Sequence, residues 1–224
     1  MSKRRLSWTA ATMGPKKQKQ EDPPQNDEED DGDGFDFSKL LRGPTNPSCY
    51  SIDNNIYFND EISMETVSVL NKELRNLQNR LLMVSIKMGI DAPPIKLHLT
   101  TYGGSIHAAF SAIGCIKSSK VPVHTVIDGY VASAGTLISV CGVKRYMHRH
   151  SSMLIHELRS GSWGKMSVIE EEVDNLKKMM VKIKEIYTEH TKLKKKDLDA
   201  ILKKDNDWYA DECLTSGLVD EIID

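Results

Sequence analysis

The sequence predicts an α/β fold of parallel strands layered with helices, and three observations carry that reading. Short apolar runs alternate repeatedly with segments of helical period, the pattern of βαβ units. Turn signals, Pro93-Pro94 and Tyr102-Gly103-Gly104-Ser105 among them, separate the two kinds of segment. At 224 residues the chain is long enough for one domain with a sizeable core plus a tail.

The tail comes first. "MSKRRLSWTAATMGPKKQKQ" is basic and free of acids, and "EDPPQNDEEDDGDG" is acidic with Pro and Gly. Neither has apolar periodicity, so neither can offset the entropy of ordering, and residues 1–45 are expected to be disordered. The clusters Lys3-Arg4-Arg5 and Lys16-Lys17-x-Lys19 have the layout of a bipartite nuclear import signal. An acid-free start with Arg, Ser and Thr equally suits an organelle transit segment, or a solvated arm with no address.

Residues 46–224 form the expected folded domain, starting in earnest near Ser51. "NNIYF" (54–58) reads as a strand. Met64, Val67, Leu70, Leu74, Leu77 and Leu81 step by three and four, which marks an amphipathic helix ended by Pro93-Pro94. "IKLHLTT" (95–101) alternates as a strand and leads into the small-residue helix "IHAAFSAIGCIK". "VPVHTVID" (121–128) is a third strand, before a helix opened by Ser133. "KRYMHR" and "SSMLIH" read as short strands, the second ending on His156. A helix over 166–190 carries Ile169, Val173, Leu176, Met180, Ile183 and Tyr187 as an apolar stripe wide enough for packing or self-association. A shorter helix near 195–203, the segment "DNDWYADECLTSG" and the strand "LVDEII" follow.

Composition narrows the function. A net charge of −2 argues against a nucleic-acid partner for the whole molecule. Cys49, Cys115, Cys141 and Cys213 lack C-x-x-C spacing, which argues against a disulfide framework or zinc knuckle and fits a reducing compartment. No apolar run approaches a membrane span and no secretory h-region follows the N-terminus, so a soluble, intracellular chain is the expectation, cytoplasmic unless the basic tail acts as a nuclear or organellar address.

Acyl transfer by serine needs a base, a group orienting that base, and donors for the oxyanion. Ser133 lies between Ala132 and Ala134 at a helix start, where unpaired N–H groups favour negative charge; the bland alternative is a helix cap. Gly103-Gly104 follows a strand, and a backbone without side chains can present an N–H to a substrate carbonyl. His156 emerges near a strand end, and Asp205 precedes the segment "DWYADE". The grouping His148-x-His150 with His156 lacks a completing Asp, Glu or Cys at a recognised spacing, so no metal is expected.

Together these stretches resemble the proteolytic subunit family of the Clp protease, ClpP, from about residue 53 to 224. "TTYGGS" matches its Gly-Gly turn, "GYVASAG" its nucleophile pattern at Ser133, and "MLIHEL" its base at His156. Counting back without a gap from "GLVDEII" places the family's acid at Asp205, with Asp207 a competitor. Tyr102 stands where proline is usual, Glu157-Leu158 where Gln-Pro is usual, and Ala134 where Met is frequent.

The resemblance implies a ClpP/crotonase-like spiral of ββα units with a long protruding helix. It implies a serine endopeptidase acting on unfolded protein or peptide through Ser133, His156 and Asp205. Gly104 and Ala134 would donate to the oxyanion, and Gly103 and Gly104 would seat the substrate strand. No cofactor is implied. The expected assembly is a homo-oligomer of two stacked heptameric rings. It would be fed by a separate AAA+ ATPase, since the chain lacks G-x-x-x-x-G-K-[ST]. Self-processing would fall in "LLRGPTNPSCYS". The rival readings are an inactive ring subunit or scaffold, a crotonase-like acyl-CoA enzyme, and a Ser-Lys peptidase.

Overall fold

The computed structural model describes residues 48–224. The charged tail, its basic clusters and all but the last four residues of "LLRGPTNPSCYS" lie outside the described residues. Strand β1 (Cys49–Ile52) turns through Asp53-Asn54 into its antiparallel partner β2 (Asn55–Asn59). β1 was not expected, because it is short and half-exposed and shows no alternation.

Helix α1 (Met64–Met88) opens on a capping box, in which Thr66 N–H donates to Ser63 Oγ and Ser63 N–H donates to Thr66 Oγ1. It buries Val67, Leu70, Leu74 and Leu77, whereas Met64, assigned to the same stripe, is exposed. It stops at Gly89, which takes the left-handed conformation of a C-terminal cap, before Pro93 is reached.

β3 (Ile95–Thr101) and α2 (Ile106–Lys117) have the expected bounds. β4 (Val123–Ala132) outruns its expected end at Asp128 and delivers Ser133 directly to α3 (Ala134–Val140). Then follow β5 (Arg145–His148), β6 (Ser152–Leu154), α4 (Met166–His190), α5 (Lys195–Leu202), β7 (Asp207–Tyr209), α6 (Ala210–Ser216) and β8 (Glu221–Ile223). The strand "SSMLIH" is therefore shorter than expected, and His156 lies two residues beyond it. The chain leaves the ladder there: Glu157 N–H donates to Leu202 O at the end of α5.

Among the described residues the sheet runs β1-β2-β3-β4-β5-β8, parallel throughout except for the first pair. β4 serves two neighbours. Thr125–Ile127 pairs with β5, and Tyr130–Ala132 pairs with β6. The β3–β4 register shifts between Leu99 and Thr101, and such an irregularity re-aims the end of a strand. β6 then takes β7 as an antiparallel partner.

Arg145 on β5 ties three chain ends together. Its guanidinium donates to Asp220, to the Gly217 carbonyl after α6 and to the His190 carbonyl at the end of α4. The same bonds hold the Asp220 carboxyl below the usual carboxylate range. Because the folded-state value is lowered, that contribution is present above about pH 4 and fades as pH falls through the lowered value. Arg145→Ala should cost roughly 2 kcal/mol, since hydrogen bonds to charged groups are lost and two carbonyls are orphaned. Thermal unfolding is the check, and an unchanged midpoint would show that the network is ornamental.

The α4 stripe divides into two parts. Ile183 and Tyr187 are buried in this chain's own core, and Met180 packs against it. Ile169, Val173 and Leu176 stay outside that core, with Val173 exposed.

Candidate active site

Ser133 sits on a sharp strand-to-helix turn with φ 53° and ψ −124°. Its side chain makes no capping bond, so the helix-cap reading fails. A non-glycine residue at positive φ costs about 1–3 kcal/mol and persists only where its surroundings enforce it. The enforcement is visible. Ser133 N–H donates to Leu154 O on β6, and Ser133 O accepts from Thr136 N–H and Thr136 Oγ1. With its proton committed to Ser133, Thr136 Oγ1 accepts from the buried Tyr187 hydroxyl at 2.6 Å. Burial pushes that phenol well above its ordinary value, which keeps it a donor. Tyr187 thus belongs to the support of the Ser133 turn. Sequence reasoning placed it only in the α4 stripe.

The small residues around Ser133 have steric causes. A Cβ on Gly103 would lie 2.6 Å from Ser133 Cβ, and one on Gly135 would lie 2.4 Å from Thr101 Cγ2. A Cβ on Gly104 would meet Ile62 O at 2.4 Å. Gly103 and Gly104 also hold φ of 96° and 140°, which disfavour any side chain. Both polar groups of Gly103 are engaged inside the fold, its N–H by Thr101 Oγ1 and its C=O by Ile62 N–H. Gly104 N–H donates to no acceptor among the described residues, which leaves it available to an incoming oxyanion. Ala134 N–H opens α3, and a Cβ on Gly103 would lie 3.2 Å from its nitrogen.

Ser133, Gly104 and His156 line one cavity of about 280 Å³ with Tyr102, Arg159 and Tyr187. A roomier cavity of about 640 Å³, walled by Lys196, Asp205, Trp208 and Glu212, contains neither Ser133 nor His156. Chemistry therefore selects the smaller one. No hydrogen bond joins Ser133 to His156. The imidazole is largely buried, and its Nδ1 has no hydrogen-bond partner. The nearest acid is Asp205, whose Oδ1 lies 3.9 Å away.

The two candidate acids differ in what they approach. β6 and β7 pair antiparallel with Leu154 opposite Asp207. Leu154 and Asp207 are the last pair of that ladder, and beyond it Asp205 Oδ1 comes within 3.9 Å of His156 Nδ1. Asp207 instead accepts from the Tyr130 hydroxyl at 3.2 Å. Burial first, and then Asp207, push the Tyr130 phenol up to about 12.

The cysteines offer no exposed thiol. All four cysteines are free and buried, and burial pushes the thiols of Cys49 and Cys213 up to about 12 and that of Cys141 up to about 11. Among the described residues no three His, Cys, Asp or Glu side chains gather to hold a metal ion. None of the described helices is long and apolar enough to cross a membrane. The departures seen in sequence have simple placements. Tyr102 is exposed and packs on Tyr130 with ring centroids 5.3 Å apart. Leu158 N–H, which a proline would lack, donates to Met180 Sδ.

Comparison with known proteins bears on the whole described region. The family model described as Clp protease matches residues 46–224. The ATP-dependent Clp protease proteolytic subunit 2 of Treponema denticola is 32% identical over 157 residues, spanning 68% of this chain and 77% of that protein. Among solved structures, a mutant ClpP1 from Listeria monocytogenes matches with a TM-score of 0.64 at 24% identity, covering 74% of this chain and 88% of that one.

Proposed function

The chain belongs to the Clp protease family and has the ClpP fold, and from that premise we propose that it is a serine endopeptidase subunit acting on unfolded protein or peptide. The observation that carries the proposal is Ser133 on its strained turn, sharing one cavity with His156 and the free N–H of Gly104.

In the proposed reaction Ser133 Oγ attacks the scissile carbonyl carbon while His156 takes its proton. The carbonyl oxygen, now negative, is received by the N–H groups of Gly104 and Ala134. His156 returns the proton to the leaving amine as the C–N bond breaks, leaving an acyl group on Ser133. Water then repeats the sequence and releases the acid. Asp205 holds the imidazole and stabilises its cation. An extended substrate strand would pair with the backbone of Gly104 and not with that of Gly103, expected to share the task, because both polar groups of Gly103 are already engaged inside the fold. Reaction of the full chain with a fluorophosphonate, followed by mass mapping, should place the adduct on Ser133. An adduct elsewhere would remove this reading.

The 3.9 Å separation of His156 and Asp205 favours one alternative, a ring subunit that keeps the fold without hydrolysis. Absence of any adduct would select it. Catalytic hydrogen bonds are often long before substrate arrives, and a gap of this size is also that of a triad which tightens on binding.

Assembly into two stacked heptameric rings, fed by a separate AAA+ ATPase, is proposed with the activity. Support comes from Ile169, Val173 and Leu176, which are apolar and lie outside this chain's own core. Val173→Glu with Leu176→Glu would place unpaired charge at a contact between rings. Single rings or smaller species with intact secondary structure are expected by native mass spectrometry. An unchanged high-mass oligomer would show that this half of the stripe holds no contact between rings.

A further inference from the structure

We propose that Arg159 is a positioning residue that holds Asp205 back from His156, an inference that rests on the protease reading above. Two observations meet at Asp205. One carboxylate oxygen is bonded by the Arg159 guanidinium, and the other lies 3.9 Å from His156 Nδ1, beyond hydrogen-bond reach. Meanwhile His156 Nδ1 is buried with no partner, although Asp205 is the acid nearest to it. A buried, unpaired ring nitrogen beside a carboxylate held elsewhere describes a contact interrupted by a competitor. Arg159 is that competitor, and it also lines the cavity that holds Ser133.

The competition is weak enough to be reversible. Arg159 and Asp205 are 69% and 54% exposed, and an exposed ion pair is worth a factor of roughly 1.4 to 5 in an equilibrium. Such a pair is also screened by salt, unlike a hydrogen bond buried at His156. Asp205 can therefore exchange between two partners, and Arg159 lowers the fraction of molecules with a closed triad.

The test uses the full chain as wild type, Arg159→Ala and Arg159→Lys, with two readouts: the rate of fluorophosphonate labelling at Ser133 and turnover of a fluorogenic peptide. Arg159→Ala should label and turn over about two- to five-fold faster, with kcat raised and KM unchanged. Arg159→Lys keeps the charge and should stay near wild type. Raising ionic strength should accelerate wild type and leave Arg159→Ala flat. Equal or slower rates in Arg159→Ala, with the salt response of wild type, would overturn the inference while labelling of Ser133 preserved the protease reading. No labelling in any of the three proteins would overturn that reading and this inference with it.

Discussion

Peptide hydrolysis should fall by roughly 10⁴- to 10⁶-fold in Ser133→Ala, the loss typical when a triad nucleophile is removed. The fold should survive. The Ser133 side chain caps nothing, and the backbone bonds that hold the turn, to Leu154 O and from Thr136, do not involve it. Alanine at φ 53° carries the same backbone strain as serine, so the unfolding midpoint should barely move. Glycine tolerates that conformation, so Ser133→Gly should be equally inactive and about 1 kcal/mol more stable, a rise of roughly 2–4 °C for a domain of this size. The pair of variants separates chemistry from strain. Substantial hydrolysis by Ser133→Ala on a small fluorogenic peptide would remove Ser133 from the mechanism.

The second large effect is expected at the acid. Asp205→Asn should lose most of its turnover, approaching 10⁴-fold if the amide leaves His156 in the wrong tautomer. Asp207→Asn should stay within a few-fold of wild type, because its partner is the Tyr130 hydroxyl and its place on β7 faces Leu154. Both changes are nearly isosteric, and both carboxylates lie near the surface, so a shared loss of stability will not confuse the ranking. Steady-state turnover of the two variants on one peptide is the measurement. The reverse order would move the triad acid to Asp207 and leave Ser133 and His156 in place.

What the sequence determined by itself is what local chemistry encodes. The 95–101 strand and the 106–117 and 166–190 helices were legible with their bounds, since alternation, helical period and breakers act within a few residues. The run of small residues around Ser133 is plain in the sequence, but its steric reason, that a Cβ on Gly103 would meet Ser133 and one on Gly135 would meet Thr101, shows only in the fold. Other features were decided only in three dimensions. β7 has three residues and no pattern of its own; it is a strand because β6 offers it an edge. His156 left its strand because α5 took the next backbone donor. That Asp205 and not Asp207 lies nearest His156 follows from how segments some fifty positions apart meet, and spacing along the chain cannot express it. Tyr187 reads as one more apolar position until its hydroxyl is seen to support the Ser133 turn through Thr136. Arg159 carries no sequence signal at all, because its meaning is a competition for one carboxylate, and competition between partners exists only once the chain has brought them together.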